Sequence, residues 1–474
     1  MAEQIIIGRK KEQETLQRCV ESGKAEFVAV FGRRRIGKTF LVKRFFKDNF
    51  DFYITGIYEC SKKEQLANFQ RQLRNYSGKK YKKPADWFEA FDQLRQYLST
   101  IEKEHKIVFL DELPWLDTPK SNFTRALELF WNEWAADQTN LKLIVCGSAT
   151  TWMTNKLLGD KGGLHNRVTQ SIHLAPFTLK ETEEYLTSRG ILWNRHQIVE
   201  CYMILGGTPY YQSKLQKELN LSQNIDNLFF SKNAELRGEY TFLFRSLFKD
   251  STTYQKVVEL LSKETRGLTR KEISEKLKLG IGGKLTECLE NLCNCDFLRQ
   301  YNAFGNKKRD ITYQLVDMYA LFYLHHVKPN NVPDEHFWSN TTDTPAHRTW
   351  SGFAFELVCV NHIPQIKDAL GIRSVQTNVY SWRSKDSDEG GQIDLVIDRR
   401  DQIINLCEIK YSMSVYELTK DYMEHLQHSR ELFRQQTHTS KALYLTFITT
   451  YGLKKNAYQG MVQSSIDMEG LFAI

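Results

Sequence analysis

The sequence predicts an α/β protein of several domains, and three patterns carry that prediction. Residues 1–175 alternate nearly all-apolar runs with helical patterns, as strands of a parallel sheet covered on both faces do. Residues 249–327 read as three helices followed by a hairpin. Residues 346–474 return to alternating strands and helices after a stretch rich in Pro, Asn, Asp and Thr. With 474 residues, 41% of them hydrophobic, each part can bury a core of its own.

The strands expected in the first part are 26–31, 52–55, 107–110 and 141–146. From residue 176 to 248 the pattern is helical, broken by Gly206-Gly-Thr-Pro-Tyr-Tyr211. Thr269 and Glu272 form a capping box that starts a helix ending at Gly280, and a second helix covers 284–294. Two short strands with the basic tip Lys307-Lys308-Arg309 complete a winged helix-turn-helix over 249–327. Residues 328–345 are the expected linker. Beyond it come a helix near 352–362, strands 374–382, 393–398 and 403–410, a helix 421–436 and a strand 441–447.

A net charge of +8 permits contact with nucleic acid without requiring it. The nine cysteines are scattered, as for reduced thiols. Cys288, Cys293 and Cys295 cluster at the end of an apolar helix with no histidine pair at zinc-finger spacing, which favours a structural role. Lys79–Lys83 reads as a solvated basic loop. The N-terminus is too charged for a signal peptide, and no apolar run approaches the roughly 18 residues of a spanning helix. The expectation is a soluble, cytoplasmic protein without membrane partners.

Gly32-Arg33-Arg34-Arg35-Ile36-Gly37-Lys38-Thr39 fits G-x-x-x-x-G-K-[ST] and sits between an apolar strand and a helix that begins near Phe40. Such a loop turns its backbone N–H groups on phosphates. Lys38 would reach the β- and γ-phosphates of ATP, and the Thr39 hydroxyl would hold Mg²⁺. Some 70 residues on, the run 107–110 ends in Asp111 and Glu112. Asp111 would complete the Mg²⁺ shell and Glu112 would polarise the attacking water. Ser148, after the next strand, reads either as a γ-phosphate sensor or as a helix cap. Arg167 reads either as an arginine finger or as a surface arginine.

Gly8-Arg9 with Glu12, the arginine-rich loop, Phe109–Leu116, Gly147-Ser148, Arg167 with Pro176-Phe177, and Gly206–Tyr211 together resemble the archaeal-type ATPases of the AAA-like and STAND branch of P-loop proteins. The resemblance covers about residues 5–245. It implies that Gly8 and Arg9 lie near the adenine and that residues 176–248 form a helical lid. In that family a winged helix and a domain similar to PD-(D/E)xK nucleases often follow, and residues 249–327 and 346–474 resemble both. The fold expected of 346–474 is therefore restriction-endonuclease-like.

The nuclease reading rests on Asp394, Glu408, Lys410 and Glu356. Glu408 and Lys410 are two apart on one strand and share a face, and Asp394 lies on the preceding strand of a hairpin turning near 398–402. Asp394 and Glu408 would hold Mg²⁺, Lys410 would position water, and Glu356 would add a metal contact or orient Lys410. The alternative is a degenerate domain that keeps these charges as a structural cluster. Taken together, the motifs predict an ATP- and Mg²⁺-binding ATPase, a nuclease-like domain acting on DNA, and scope for a homo-oligomer. The rival expectation is an ATP-dependent switch whose winged helix binds DNA or protein and whose C-terminal domain is inert.

Overall fold

The computed structural model describes residues 5–148, 150–159, 164, 166–280, 282–302, 304, 311–330, 334–342, 344–384 and 391–473. The chain forms two compact units, Met1–Pro176 and Phe177–Ile474. Among the described residues no helix is long and apolar enough to cross a membrane.

The first unit is a five-stranded parallel sheet of β1 (Glu26–Phe31), β2 (Phe52–Thr55), β3 (Lys106–Asp111), β4 (Leu141–Gly147) and β5 (Gln170–His173), in the order β2-β3-β4-β1-β5. Residues of β3 and β4 are buried throughout, and all but Lys106, Asp111 and Lys142 are apolar or glycine. The sequence did not disclose β5. It is an edge strand with only Ile172 buried, so Gln-Ser-Ile-His shows no apolar run. β4 lies between β1 and β3 and brings its tip, Gly147-Ser148, between the phosphate-loop strand and the Asp111 strand.

The second unit opens with the helices Leu179–Ser188 and Arg195–Leu205, and Gly206–Tyr211 closes back on its first residue. Phe177 donates its N–H to Gly207 O at 2.6 Å, and Tyr202 donates its hydroxyl to Phe177 O at 2.8 Å. A Cβ on Gly207 would lie 1.9 Å from Phe177 O, so only glycine fits. The double glycine is therefore a packing device.

Helices Ser251–Ser262, Arg270–Leu277 and Gly283–Asn294 pack with an antiparallel sheet of β6 (Leu268–Thr269), β7 (Leu298–Asn302) and β8 (Ile311–Leu315), in the order β6-β8-β7. The capping box Thr269/Glu272 is formed. The helix it starts stops at Leu277, because Lys278 takes the left-handed conformation before Gly280 is reached.

Residues 328–345 are not an open linker over their described part. The helix Phe337–Thr341 is capped from outside by Asp226, which accepts from Trp338 N at 2.8 Å. The Trp338 ring is buried between Phe322 and Trp350. Composition marks such a stretch as loop, whereas one buried tryptophan and one distant carboxylate fix it in place.

The C-terminal sheet has the order β13-β12-β11-β10-β9, with β9 (Thr377–Arg383), β10 (Gln392–Arg399), β11 (Ile403–Lys410), β12 (Ala442–Thr449) and β13 (Ser464–Ile466). β9, β10 and β11 are antiparallel neighbours, whereas β12 and β13 join in parallel. Helices Pro345–Asn361 and Lys420–Thr437 accompany it. The hairpin turns at Gln402 (φ 68°), inside the expected 398–402. The three-residue β13 was too short to read from sequence.

The two sheets of this unit are joined. Phe304, just past β7, donates its N–H to Ser381 O of β9 at 3.2 Å and sets its ring against Tyr380 and Phe433. The basic tip Lys307–Arg309 lies outside the described residues.

Candidate functional site

The phosphate loop hangs between β1 and the helix Lys38–Phe45. Gly32 has φ 143°, and a Cβ there would sit 2.4 Å from Leu174 O, so the backbone passes where no side chain fits. Gly37 has φ 88° and is the N-cap of the helix, exposing the helix's first N–H groups. Arg33 and Ile36 are buried, so they serve this site through their backbone, while Arg34, Arg35 and Phe40 are at least partly exposed. Lys38 donates to Gly32 O at 3.0 Å and to Arg33 O at 2.9 Å, which holds its ammonium over the loop. Ile6 packs in one apolar cluster with Ile36 and Leu41, so the segment carrying Gly8 and Arg9 lies against the loop.

Thr39 and Asp111 meet: Thr39 Oγ1 donates to the carboxylate, 3.0 Å from Oδ1 and 3.1 Å from Oδ2. Burial, then the neighbouring Glu112, raise the Asp111 pKa from 3.8 to about 6, although Thr39 opposes the shift. A buried carboxylate held near its threshold of ionisation, beside a hydroxyl, is the hard-oxygen pair that Mg²⁺ takes, so the residues fit the ion. Glu112 stands next in the chain at φ 47°, which turns it off the strand. Its carboxylate accepts from Ser148 N at 3.1 Å and Ser148 Oγ at 2.8 Å. Ser148 thus holds Glu112 with its side chain. Arg167 is exposed a few residues before β5, the neighbour of β1.

Residues 6–215 match the family described as an ATPase domain predominantly from Archaea. This is an archaeal-type ATPase domain. Over 418 residues the chain is 24% identical to the uncharacterized protein MJECL04 of Methanocaldococcus jannaschii, spanning 86% of this chain and 88% of that one. It is 41% identical over 44 residues to the uncharacterized ATP-binding protein MJ0423 of the same organism, 9% of this chain and 75% of that one. Among solved structures, it is similar to the Walker-type ATPase PABY2304 of Pyrococcus abyssi, with 18% identity, a TM-score of 0.48, and coverage of 67% of this chain and 96% of that one. The ATPase domain so matched contains every loop and strand-tip residue described above.

The C-terminal residues outside the ATPase domain are assembled differently. Glu408 and Lys410 share a face of β11 as expected, and pair at 2.8 Å. Tyr422, from the helix Lys420–Thr437, also donates its hydroxyl to Glu408. Burial pulls the Lys410 pKa down, but Glu408 more than offsets it. Asp394 stands at a β-bulge, where the β9 register shifts between Ile393 and Val396. It accepts from Gln392 Nε2 at 3.1 Å and from Ile409 N at 3.3 Å. Glu356 and Asp394 both line one cavity; burial pushes both pKa values up, helped by Asp394 and then Glu408 at Glu356 and by Glu408 at Asp394.

The carboxylates of Asp394, Glu408 and Glu356 do not gather into one three-acid group, and among the described residues no such group of His, Cys, Asp or Glu forms. Asp394 accepts from the β11 backbone beside Glu408, while Lys410 and Tyr422 hold Glu408. Lys410 and Tyr422 both contact Oε1 of Glu408.

Three residues that sequence reading missed belong beside this cavity: Arg266, Arg299 and Arg383. Each is a single arginine in a separate segment, without a spacing signal. The nine cysteines are free, and burial pushes Cys288 and Cys293 up to about 12, in keeping with a structural role. Lys79–Lys83 has no regular structure, with Tyr81 packed inward and Gln70 donating to its carbonyl at 2.7 Å.

Proposed function

We propose that the protein is a Mg²⁺-dependent ATP hydrolase whose nucleotide state governs the C-terminal part. The observation that carries the hydrolase is the pairing of Thr39 with Asp111 beside a Glu112 held by Ser148. The loop N–H groups and Lys38 would bind the phosphates, and Thr39 and Asp111 would hold Mg²⁺, which neutralises charge on the phosphates when bound. Glu112 would accept a proton from the attacking water, with Ser148 setting the orientation of its carboxylate. Arg167 is a proposed arginine finger, and the helices following Phe177 a proposed lid.

We read residues 249–327 as a winged helix and 346–474 as a nuclease-like domain that acts on DNA. Three helices with a three-stranded sheet support the first reading. Asp394 at a bulge beside Glu356, with Glu408 and Lys410 on the neighbouring strand, supports the second. The Lys410–Glu408–Tyr422 contacts favour the rival reading, an inert C-terminal domain under an ATP switch.

The deciding experiment is cleavage of plasmid and linear DNA by the full chain with Mg²⁺ or Mn²⁺, with and without ATP, beside Asp394→Ala and Lys38→Ala. Cutting that Asp394→Ala removes, and that responds to ATP, supports the coupled nuclease. ATP turnover lost in Lys38→Ala with no cutting anywhere supports the switch. Turnover unaffected by Lys38→Ala would sink both.

A further inference from the structure

Two stretches of the first unit leave neighbouring strand tips. One follows Asp111: Glu112 turns off β3 at φ 47°, the short helix Leu113–Leu116 comes next, and Asp117 ends it. The other follows β4: a turn of helix, Thr150–Trp152, widens into a π-type turn over Met153–Leu158. The two stretches meet at three places. Ser148 donates to Glu112 from both its N–H and its hydroxyl. Gly147 lies between the stretches, since a Cβ there would stand 2.6 Å from Met153 Sδ and 2.9 Å from Pro114 Cδ. The third contact is charged: Asp117 Oδ2 accepts from Trp152 Nε1 at 2.9 Å and from Lys156 Nζ at 2.6 Å.

This third contact differs from an ordinary surface ion pair. The Asp117 side chain is 10% exposed, whereas that of Lys156 is 54% exposed. Solvent weakens the ammonium's share, so the indole N–H is the directional donor. A carboxylate so far out of water needs that donor. Trp152 and Lys156 are four residues apart, and the ammonium lies 5.7 Å over the indole.

Between Glu112 and Asp117 the chain is apolar, Leu-Pro-Trp-Leu, and Leu113, Leu116, Met153 and Leu157 are buried in one cluster. Apolar packing is non-directional and does not by itself set the angle of a carboxylate. Glu112 also carries a left-handed backbone, which a residue other than glycine keeps only when its surroundings impose it. The hydrogen bonds at Glu112 and at Asp117 do so from either end of the apolar run.

We propose that Asp117 and Trp152 are positioning residues for Glu112 that act through Ser148. They lock the stretch after β4 against the stretch after β3, and so fix the donor that aims the Glu112 carboxylate. The consequence for turnover rests on the reading of Glu112 as proton acceptor, while the lock itself belongs to the protein without nucleotide.

The first test is amide hydrogen exchange of the full chain without nucleotide. Trp152→Phe keeps a ring and removes the N–H. It should speed exchange of the Ser148 amide about tenfold and leave that of Ile144, inside β4, unchanged. The second test is steady-state ATP turnover. Trp152→Phe and Asp117→Ala should each lower kcat about fivefold with KM for ATP unchanged. Asp117→Asn, which keeps an acceptor for the indole, should recover most of that loss. In a Ser148→Ala background, Trp152→Phe should cost less than about twofold more, because the path it acts through is gone. Unchanged Ser148 exchange in Trp152→Phe would overturn the proposal. So would equal losses of kcat in the two backgrounds, or an acceleration at Ile144 as large as that at Ser148. A wild type without turnover, whose Ser148 exchange still answers to Trp152, keeps the lock and removes the hydrolase. A wild type that turns ATP over, with exchange and kcat indifferent to Trp152, does the reverse.

Discussion

Two aspartates, one in each unit, Asp111 buried and Asp394 half-buried, stand beside a second acid and are pushed toward neutrality by desolvation, yet they are built in different ways. Asp111 ends a strand, and its hydroxyl partners are Thr39 after the phosphate loop and Thr55 at the end of the adjacent strand β2. Asp394 sits on a bulge, and the groups around it come from a distant helix, two strands and a turn of the smaller sheet. The first arrangement is local and closes on itself, with each carboxylate given a hydroxyl. The second depends on how several elements dock, and its acids and arginines meet only at one shared cavity. A site of the first kind can be read from a short string of residues, whereas one of the second kind needs the whole unit.

The contrast predicts where function breaks. Glu112→Gln should reduce ATP turnover about a thousandfold while leaving nucleotide binding within a factor of about two, because only the proton acceptor is lost. Retained turnover would show that Glu112 is not the base. Lys38→Ala should cost about a hundredfold and weaken nucleotide binding as well, measured by phosphate release and by titration with a fluorescent ATP analogue.

Stability against pH sharpens the same comparison. The Asp111 pKa is raised in the folded chain, from 3.8 to about 6, so the folded state holds its proton more tightly than the unfolded one. Without metal or nucleotide, stability should therefore fall as pH rises from about 4 to about 6. Asp111→Asn should remove that fall and stabilise the first unit by about 3 kcal/mol at pH 7, seen as a higher melting temperature. Glu356→Gln should also raise melting of the second unit at neutral pH, since its carboxyl is likewise pushed up by burial and by Asp394. A lower melting temperature in either variant would mean that the ionised acid has an unrecognised partner. The smallest effect belongs to Ser148→Ala, about tenfold in kcat with KM unchanged, from the loss of a charge-assisted hydrogen bond that orients Glu112.

The phosphate loop and Asp111-Glu112 were legible because their chemistry is written within contiguous motifs at strand ends. The Asp394 and Glu408 strands and their hairpin were legible to within a residue or two. The direction of the carboxylates was not, because it depends on a one-residue bulge and on Tyr422 from a helix beyond. β5 escaped because an exposed edge strand needs only one inward side chain, Ile172. The 328–345 stretch misled because composition cannot show that Asp226 caps a helix over a hundred residues away. Arg266, Arg299 and Arg383 converge only after two sheets join.

The seam at Phe304 makes the second unit inseparable. Its backbone hydrogen bond to Ser381 and its ring between Tyr380 and Phe433 make the smaller sheet a lodger in the larger one's core. A chain shortened to end after residue 327 would lose β9 and the helix that carries Phe433, and would strip Trp338 from Phe322, exposing apolar rings to water. The halves of this unit are therefore not interchangeable cassettes: a swap of either one must bring a matching socket, or the hybrid will associate through the surface left bare.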